Sequence, residues 1–164
     1  MRRIRFVALL VLALSACEGS STPPYPLVAS GDTWDLGFGY GVRGGAPHFA
    51  LDTPRGSDLL YPGPAYPDLG SGGVYPLGDE GSLVYGTVPT EVTTVAVALE
   101  DGSVVGTNPF APPETVTIER NLFALEVDQP PVTATLLDGG GHEVAAAELT
   151  WMEDVGSFFA FVAP

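Results

Sequence analysis

Lysine is absent from this sequence, and six arginines face 20 acidic residues, which gives a net charge of −14. Proteins that bind nucleic acids do so largely through lysine and arginine contacts with phosphates. A chain this poor in cations is repelled by a phosphate backbone instead. The composition therefore predicts a protein that binds no nucleic acid.

Cysteine and histidine are almost as scarce, because Cys17 is the only cysteine and His48 and His142 are the only histidines. The chain therefore forms no disulfide of its own, and two isolated histidines do not make a zinc site. No serine lies in the Gly-x-Ser-x-Gly context of common hydrolases. We therefore predict no catalytic residue and no cofactor, with a small hydrolase lacking a recognisable motif as the alternative.

Long apolar runs are also missing, with one short exception at residues 6–14. This run is about half of the roughly 20 residues that a transmembrane helix needs. Arginines precede it at positions 2, 3 and 5, and the small residues Ser15 and Ala16 follow it. A basic tip, an apolar run and a small-residue end are the anatomy of an export signal, so we predict a signal peptide over residues 1–16.

Residues 14–17, Leu-Ser-Ala-Cys, resemble the lipobox of bacterial lipoproteins. The resemblance implies that Cys17 carries a diacylglycerol and becomes the mature N-terminus after cleavage. It also implies an exported protein of the cell envelope, anchored by lipid to the outer face of a bacterial membrane. Two or three acyl chains make such an anchor stable, since each buried methylene contributes about 0.8 kcal/mol. An ordinary secretory signal with a chance cysteine is the alternative.

Removal of residues 1–16 leaves three arginines against all 20 acidic residues, a net charge of −17. Anionic lipid head groups repel such a surface, so we expect the membrane to be contacted through the lipid anchor alone. Residues 17–31 are small, polar and proline-containing, and we predict that they form a flexible tether. Residues 32–164 are then the folded domain.

Helical periodicity is absent after residue 17, whereas alternation of apolar and polar residues recurs. Thr33 to Tyr40 alternate in this way, and further strands are predicted at 48–52, 82–88, 92–99, 103–107, 115–119, 121–127, 132–138, 142–151 and 157–162. The proline- and glycine-rich stretch 53–81 is predicted to be a long surface loop with at most one edge strand. The fold class that follows is all-β, an antiparallel β-sandwich of about 8–10 strands.

Residues 85–89, 95–102, 121–127 and 137–139 carry a resemblance within the stretch from about 85 to 144. This stretch resembles an uncharacterised immunoglobulin-like β-sandwich module of exported and lipoprotein-anchored proteins from GC-rich bacteria. The matching residues are mostly turn and core residues. The resemblance therefore implies a fold and carries no function with it.

Acidic residues in three predicted turns suggest one metal site. If successive strands after residue 82 alternate in direction, these turns meet at one end of the sandwich and bring together Asp79, Glu80, Glu100, Asp101 and Asp138. Ca²⁺ takes 6 to 8 oxygen ligands, which carboxylates and turn carbonyls can supply. Asp and Glu are also simply common in exposed turns.

Aromatic residues fall into two groups. The predicted core group is Trp34, Phe38, Phe123, Trp151 and Phe159, and the segment 158–162 is expected to be buried on both sides. The other group lies in the predicted loop, where exposed aromatic residues more often bind partners: Tyr61, Tyr66 and Tyr75. These residues favour a non-enzymatic module that binds an unknown protein or glycan, or a structural role in the envelope.

Overall fold

The structure, a computed structural model, describes residues 25–40, 46–60, 69–78, 81–150 and 156–164. These residues form twelve β-strands, all paired antiparallel, which confirms the predicted all-β antiparallel sandwich. The strands are β1 (Leu27–Ser30), β2 (Asp35–Gly39), β3 (His48–Thr53), β4 (Gly56–Leu60), β5 (Ser71–Pro76), β6 (Ser82–Val88), β7 (Val92–Leu99), β8 (Val104–Thr107), β9 (Asn121–Val127), β10 (Pro131–Asp138), β11 (Glu143–Glu148) and β12 (Ser157–Ala160).

The strands form three sheets of four strands each. Sheet A has the order β1-β2-β3-β4, sheet B the order β12-β5-β6-β9, and sheet C the order β11-β10-β7-β8. Sheet B lies between the other two. Neighbouring residues of a strand point to opposite faces, and each face of sheet B packs with a different sheet. In β6, which is buried along its whole length, Tyr85 packs with sheet A, and Val84 packs with sheet C.

Two hydrophobic cores result, one on each face of sheet B. The core between sheets A and B includes Trp34, Phe38, Phe49, Leu51 and Tyr85. The core between sheets B and C is built mainly from valine, leucine and alanine, with Phe123, Phe159 and Phe161 added. Of the predicted core aromatics, all are buried except Trp151, which lies outside the described residues.

Glycines in sheet B make room for these aromatic rings. A Cβ at Gly73 would lie 2.7 Å from Tyr85 Cζ, and one at Gly72 would lie 2.7 Å from Phe159 Cζ. Real Cβ atoms do not approach a ring so closely. The glycines that looked like loop residues in the sequence therefore belong to a central strand packed on both faces.

Several expectations about strands are wrong. The stretch 53–81 contains two strands: β4 is an edge strand of sheet A, as the prediction allowed, whereas β5 lies between β12 and β6 and not at an edge. Residues 115–119 form no strand, since Val116 instead donates its backbone N–H to Pro113 O in a turn. Phe158 and Val162 are 56% and 63% exposed, so the last segment alternates in burial rather than lying buried on both sides.

The structure describes residues 25–31 of the predicted tether, and these residues are folded. Residues 27–30 form β1, and the buried Tyr25 packs on the outer face of sheet A against Gly37 and Gly39. The Tyr25 hydroxyl lies 2.6 Å from His48 Nε2, with the rings edge to face at 4.9 Å. The folded domain therefore includes Tyr25 and β1 and does not begin at residue 32.

Candidate functional site

A groove lies at one end of sheet A, where three separate stretches of chain meet. They are the β1–β2 turn at Gly31 to Trp34, the β3–β4 turn at Pro54 and Arg55, and the end of β5. The groove consists of two adjoining depressions of about 220 and 330 Å³ that share Thr33, Thr53 and Pro54. Small-molecule sites are concave surfaces of about 300–1,000 Å³, a range that the larger depression reaches on its own.

Tyr75 forms one wall of the smaller depression. It follows Val74 in β5, and the alternation of the strand turns it toward sheet A, where its hydroxyl donates a hydrogen bond to Asp58 Oδ2 of β4. Burial, with the hydrogen bond to Asp58 added, raises the pKa of Tyr75 to about 12. At neutral pH the phenol is protonated and ties the end of β5 in sheet B to the edge strand of sheet A.

Arg55 provides the positive charge of the same depression. Its backbone N–H donates to Thr53 Oγ1 at 3.2 Å, which closes the tight β3–β4 turn, and its guanidinium lies against Gly78. A Cβ at Gly78 would be 2.8 Å from Arg55 Cζ, and the positive φ of 81° also favours glycine there. Arg55 makes no ion pair within the described ranges.

Carboxylates line the larger depression. Asp35 of β2 and Asp52 of β3 are directly opposite in the register of sheet A, and Asp32 lies in the adjacent turn. Like charges facing each other across two strands are destabilising. Asp52 Oδ1 is buried and accepts no hydrogen bond in the part of the chain that the structure describes. Three aspartates are therefore concentrated along this depression.

Trp34 backs the larger depression and connects it to the interior. Its ring is buried, and its indole N–H donates to Glu126 Oε2 of β9 at 2.7 Å. This bond joins the β1–β2 turn of sheet A to sheet B. The groove is thus fixed by two links between the sheets, one from Trp34 to Glu126 and one from Tyr75 to Asp58.

Of the three tyrosines predicted to bind a partner, only Tyr75 can be placed. It lines the groove, although it is half-buried at a strand end rather than exposed in a loop. Tyr61 and Tyr66 lie outside the described residues, as do Cys17, Asp79 and Glu80.

The convergence predicted for calcium is wrong for the members that the structure describes. Glu100 is adjacent to Pro130 at the end of β7, whereas Asp138 pairs with Val92 at its beginning, eight residues away along the same strand. The predicted strand at 115–119 does not exist, so all later turns fall at the other end of the sheets. Among the residues described, no three acidic, histidine or cysteine side chains are grouped to hold a metal ion.

Asp101 and Asp138 instead organise their own turns. Asp101 accepts from the Ser103 hydroxyl at 2.6 Å, and Asp138 accepts from the His142 backbone N–H at 2.9 Å. These hydrogen bonds hold the pKa of both carboxyl groups below the ordinary value. His142 is 82% exposed beside Asp138, and His48 is buried against Tyr25, so neither histidine lines the groove.

Sequence reasoning missed Arg55 and Asp52 as groove residues and Asp58 as the partner of Tyr75. A local signal was present, since residues 53–56, Thr-Pro-Arg-Gly, have the proline and glycine of a tight turn after an alternating strand. A hairpin assigned there would have placed Arg55 at its tip. The meeting of that tip with β5 depends on the stacking of the sheets, for which the sequence shows no local pattern.

No family model, curated protein or solved structure matches this chain. Within the described ranges there is also no helix long and apolar enough to cross a membrane. The groove is therefore the feature from which a function is inferred.

Proposed function

We propose that this chain is an exported bacterial lipoprotein whose β domain is a non-enzymatic binding module. The observation that carries the binding role is the groove, where Trp34 and Arg55 from two turns meet Tyr75 from the end of β5. A concave surface that combines aromatic and apolar walls with a few polar groups is the usual form of a ligand site. Links between two sheets hold this one in shape before a ligand arrives.

Cys17 is the residue that we assign to lipid attachment, on the strength of the Leu-Ser-Ala-Cys pattern. Tyr25 is folded onto sheet A only eight residues later. Eight residues span at most about 29 Å even when fully extended. The anchor therefore holds the domain close to the membrane surface, while the charge of −17 opposes contact with anionic lipid.

The anchor is tested by Cys17→Ala in the native cell. The wild-type protein is expected in the detergent phase of a Triton X-114 partition, with an acylated N-terminal Cys17 found by mass spectrometry. The variant is expected in the aqueous phase or as an unprocessed precursor. A variant that still carries lipid contradicts the assignment.

The binding role is tested by a photo-crosslinking amino acid placed at Leu77, in the groove wall, with the same residue at Glu143 of sheet C as a matched control. We expect an adduct from position 77 in intact cells that is lost when Tyr75→Ala is added. Equal adducts from both positions, or none from position 77, contradict a binding role for the groove.

A further inference from the structure

The two depressions of the groove differ in charge. Among the residues that the structure describes, the smaller is lined by Arg55 and no carboxylate, and the larger by three aspartates and no cation. They adjoin through Thr33, Thr53 and Pro54, so one short ligand can occupy both. This polarity selects for a ligand with a negative group at one end and a positive group at the other.

Arg55 is suited to bind a carboxylate. Its guanidinium presents a planar set of donors that matches a carboxylate with two parallel hydrogen bonds. The group is positioned over Gly78 and is not consumed by an ion pair among the described residues. Around it, Pro54, Pro76 and Leu77 provide apolar walls that suit the aliphatic part of a small ligand.

The aspartates are suited to bind a positively charged hydrogen-bond donor. Asp35 and Asp52 face each other in register without a cation between them, and Asp52 Oδ1 is buried with no partner in the described part of the chain. Asp35 is exposed, so a cation in the groove can approach this facing pair of carboxylates. An ammonium group supplies donors and cancels the repulsion between the two carboxylates.

We propose that the groove binds the free ends of a short zwitterionic peptide, with its carboxylate on Arg55 and its ammonium group at Asp35 and Asp52. This inference rests on the proposed binding role and names the class of ligand. The binding is non-covalent, and no bond of the peptide or the protein is made or broken. The protein then recognises the two terminal charges of the peptide rather than a particular side chain.

The test uses dialanine as the probe and the detergent-solubilised lipoprotein, with binding measured by calorimetry. Matched probes are N-acetyl-dialanine, which lacks the ammonium group, dialanine amide, which lacks the carboxylate, and the doubly capped peptide. We expect dialanine to bind best, each single cap to weaken binding about tenfold, and the doubly capped peptide to show no binding.

Two variants assign the ends. Arg55→Gln is expected to abolish the difference between dialanine and its amide while keeping the penalty of N-acetylation, and Asp52→Asn is expected to do the reverse. Asp52→Asn is also expected to raise the melting temperature of the free protein, because it relieves repulsion with Asp35. Glu143→Gln removes the same charge from sheet C and is expected to change neither preference.

Equal binding of capped and uncapped peptides, or no binding of dialanine at 10 mM, overturns this inference. An adduct from position 77 in cells combined with that result leaves the binding role intact and shows that the ligand is of another class. If position 77 gives no adduct and dialanine does not bind, the binding role is removed as well. A lower melting temperature for Asp52→Asn also contradicts the proposal, since it makes Asp52 a structural residue.

Discussion

The two cores on either side of sheet B differ in what fills them and in what they adjoin. The core between sheets B and C is largely aliphatic, and sheet C contributes Val95 and Val97 of β7 beside Leu136 and Ala134 of β10. The core between sheets A and B is rich in aromatic rings and ends at the groove through Trp34 and Tyr75. The aliphatic core stabilises the fold, and we assign to the aromatic core the added task of shaping the site.

The largest expected effect comes from Phe49→Ala in the aromatic core. Phe49 is fully buried between Phe38, at 4.6 Å between ring centroids, and Tyr85, at 5.2 Å. The change is expected to lower the free energy of unfolding by about 3–5 kcal/mol and to abolish dialanine binding. Denaturant unfolding and calorimetry measure the two effects.

Leu136→Ala is the matched change in the aliphatic core. It is expected to cost about 2–5 kcal/mol and to leave binding by the folded fraction unchanged. Loss of binding in Leu136→Ala, or retained binding in Phe49→Ala, contradicts the different roles assigned to the two cores.

The next effect comes from the close approach in sheet B. Gly73→Ala places a methyl group against Tyr85 and is expected to cost about 1–3 kcal/mol through overpacking. Tyr85→Phe removes the hydroxyl oxygen that the new methyl group meets first. The cost of Gly73→Ala, measured by denaturant unfolding, is therefore expected to be smaller in the Tyr85→Phe background. An unchanged cost contradicts the contact.

A smaller effect is expected on the outer face of sheet A. Tyr25→Phe keeps the ring on Gly37 and Gly39 and removes the hydrogen bond to His48. The expected loss is about 1 kcal/mol of unfolding free energy, read from the denaturation midpoint. A neutral result means that the hydroxyl does not order the start of the domain.

The smallest effect is confined to the titration of Tyr75. Because its pKa is raised from 10 to about 12, its contribution to stability is complete below pH 10 and is lost as the pH rises toward 12. Asp58→Ala removes the hydrogen bond and the nearby charge, so the pKa of Tyr75 is expected to fall. Ultraviolet difference titration against Tyr75→Phe isolates this residue, and an unchanged titration contradicts the pairing with Asp58.

Strands with regular alternation were the part of the fold most accurately predicted from sequence. Strands at 82–88, 92–99 and 121–127 were predicted with the bounds that β6, β7 and β9 have, because alternation in these segments is a local property. Residues 115–119 alternate equally well and form a turn. Alternation shows which residues can face a core and does not show whether a partner strand is present.

Strand β5 and the groove were predicted less well, for a physical reason. The glycines of β5 look like loop residues until Tyr85 and Phe159 are known to press against Gly73 and Gly72. The groove likewise arises where turns far apart in sequence meet, so Tyr75 was found as an aromatic residue of interest while Arg55 and Asp52 were not. Contacts between sheets carry the site, and these are the contacts that local patterns do not encode.

The most direct test of this account is the ¹⁵N–¹H resonance of the Trp34 indole during titration with dialanine. Trp34 lies in the groove wall with its N–H on Glu126, so the account predicts a saturable shift of this resonance that Arg55→Gln weakens and Glu143→Gln does not. A Trp34 resonance that stays fixed while backbone amides of sheet C move would contradict the assignment of the site to the aromatic side of the molecule.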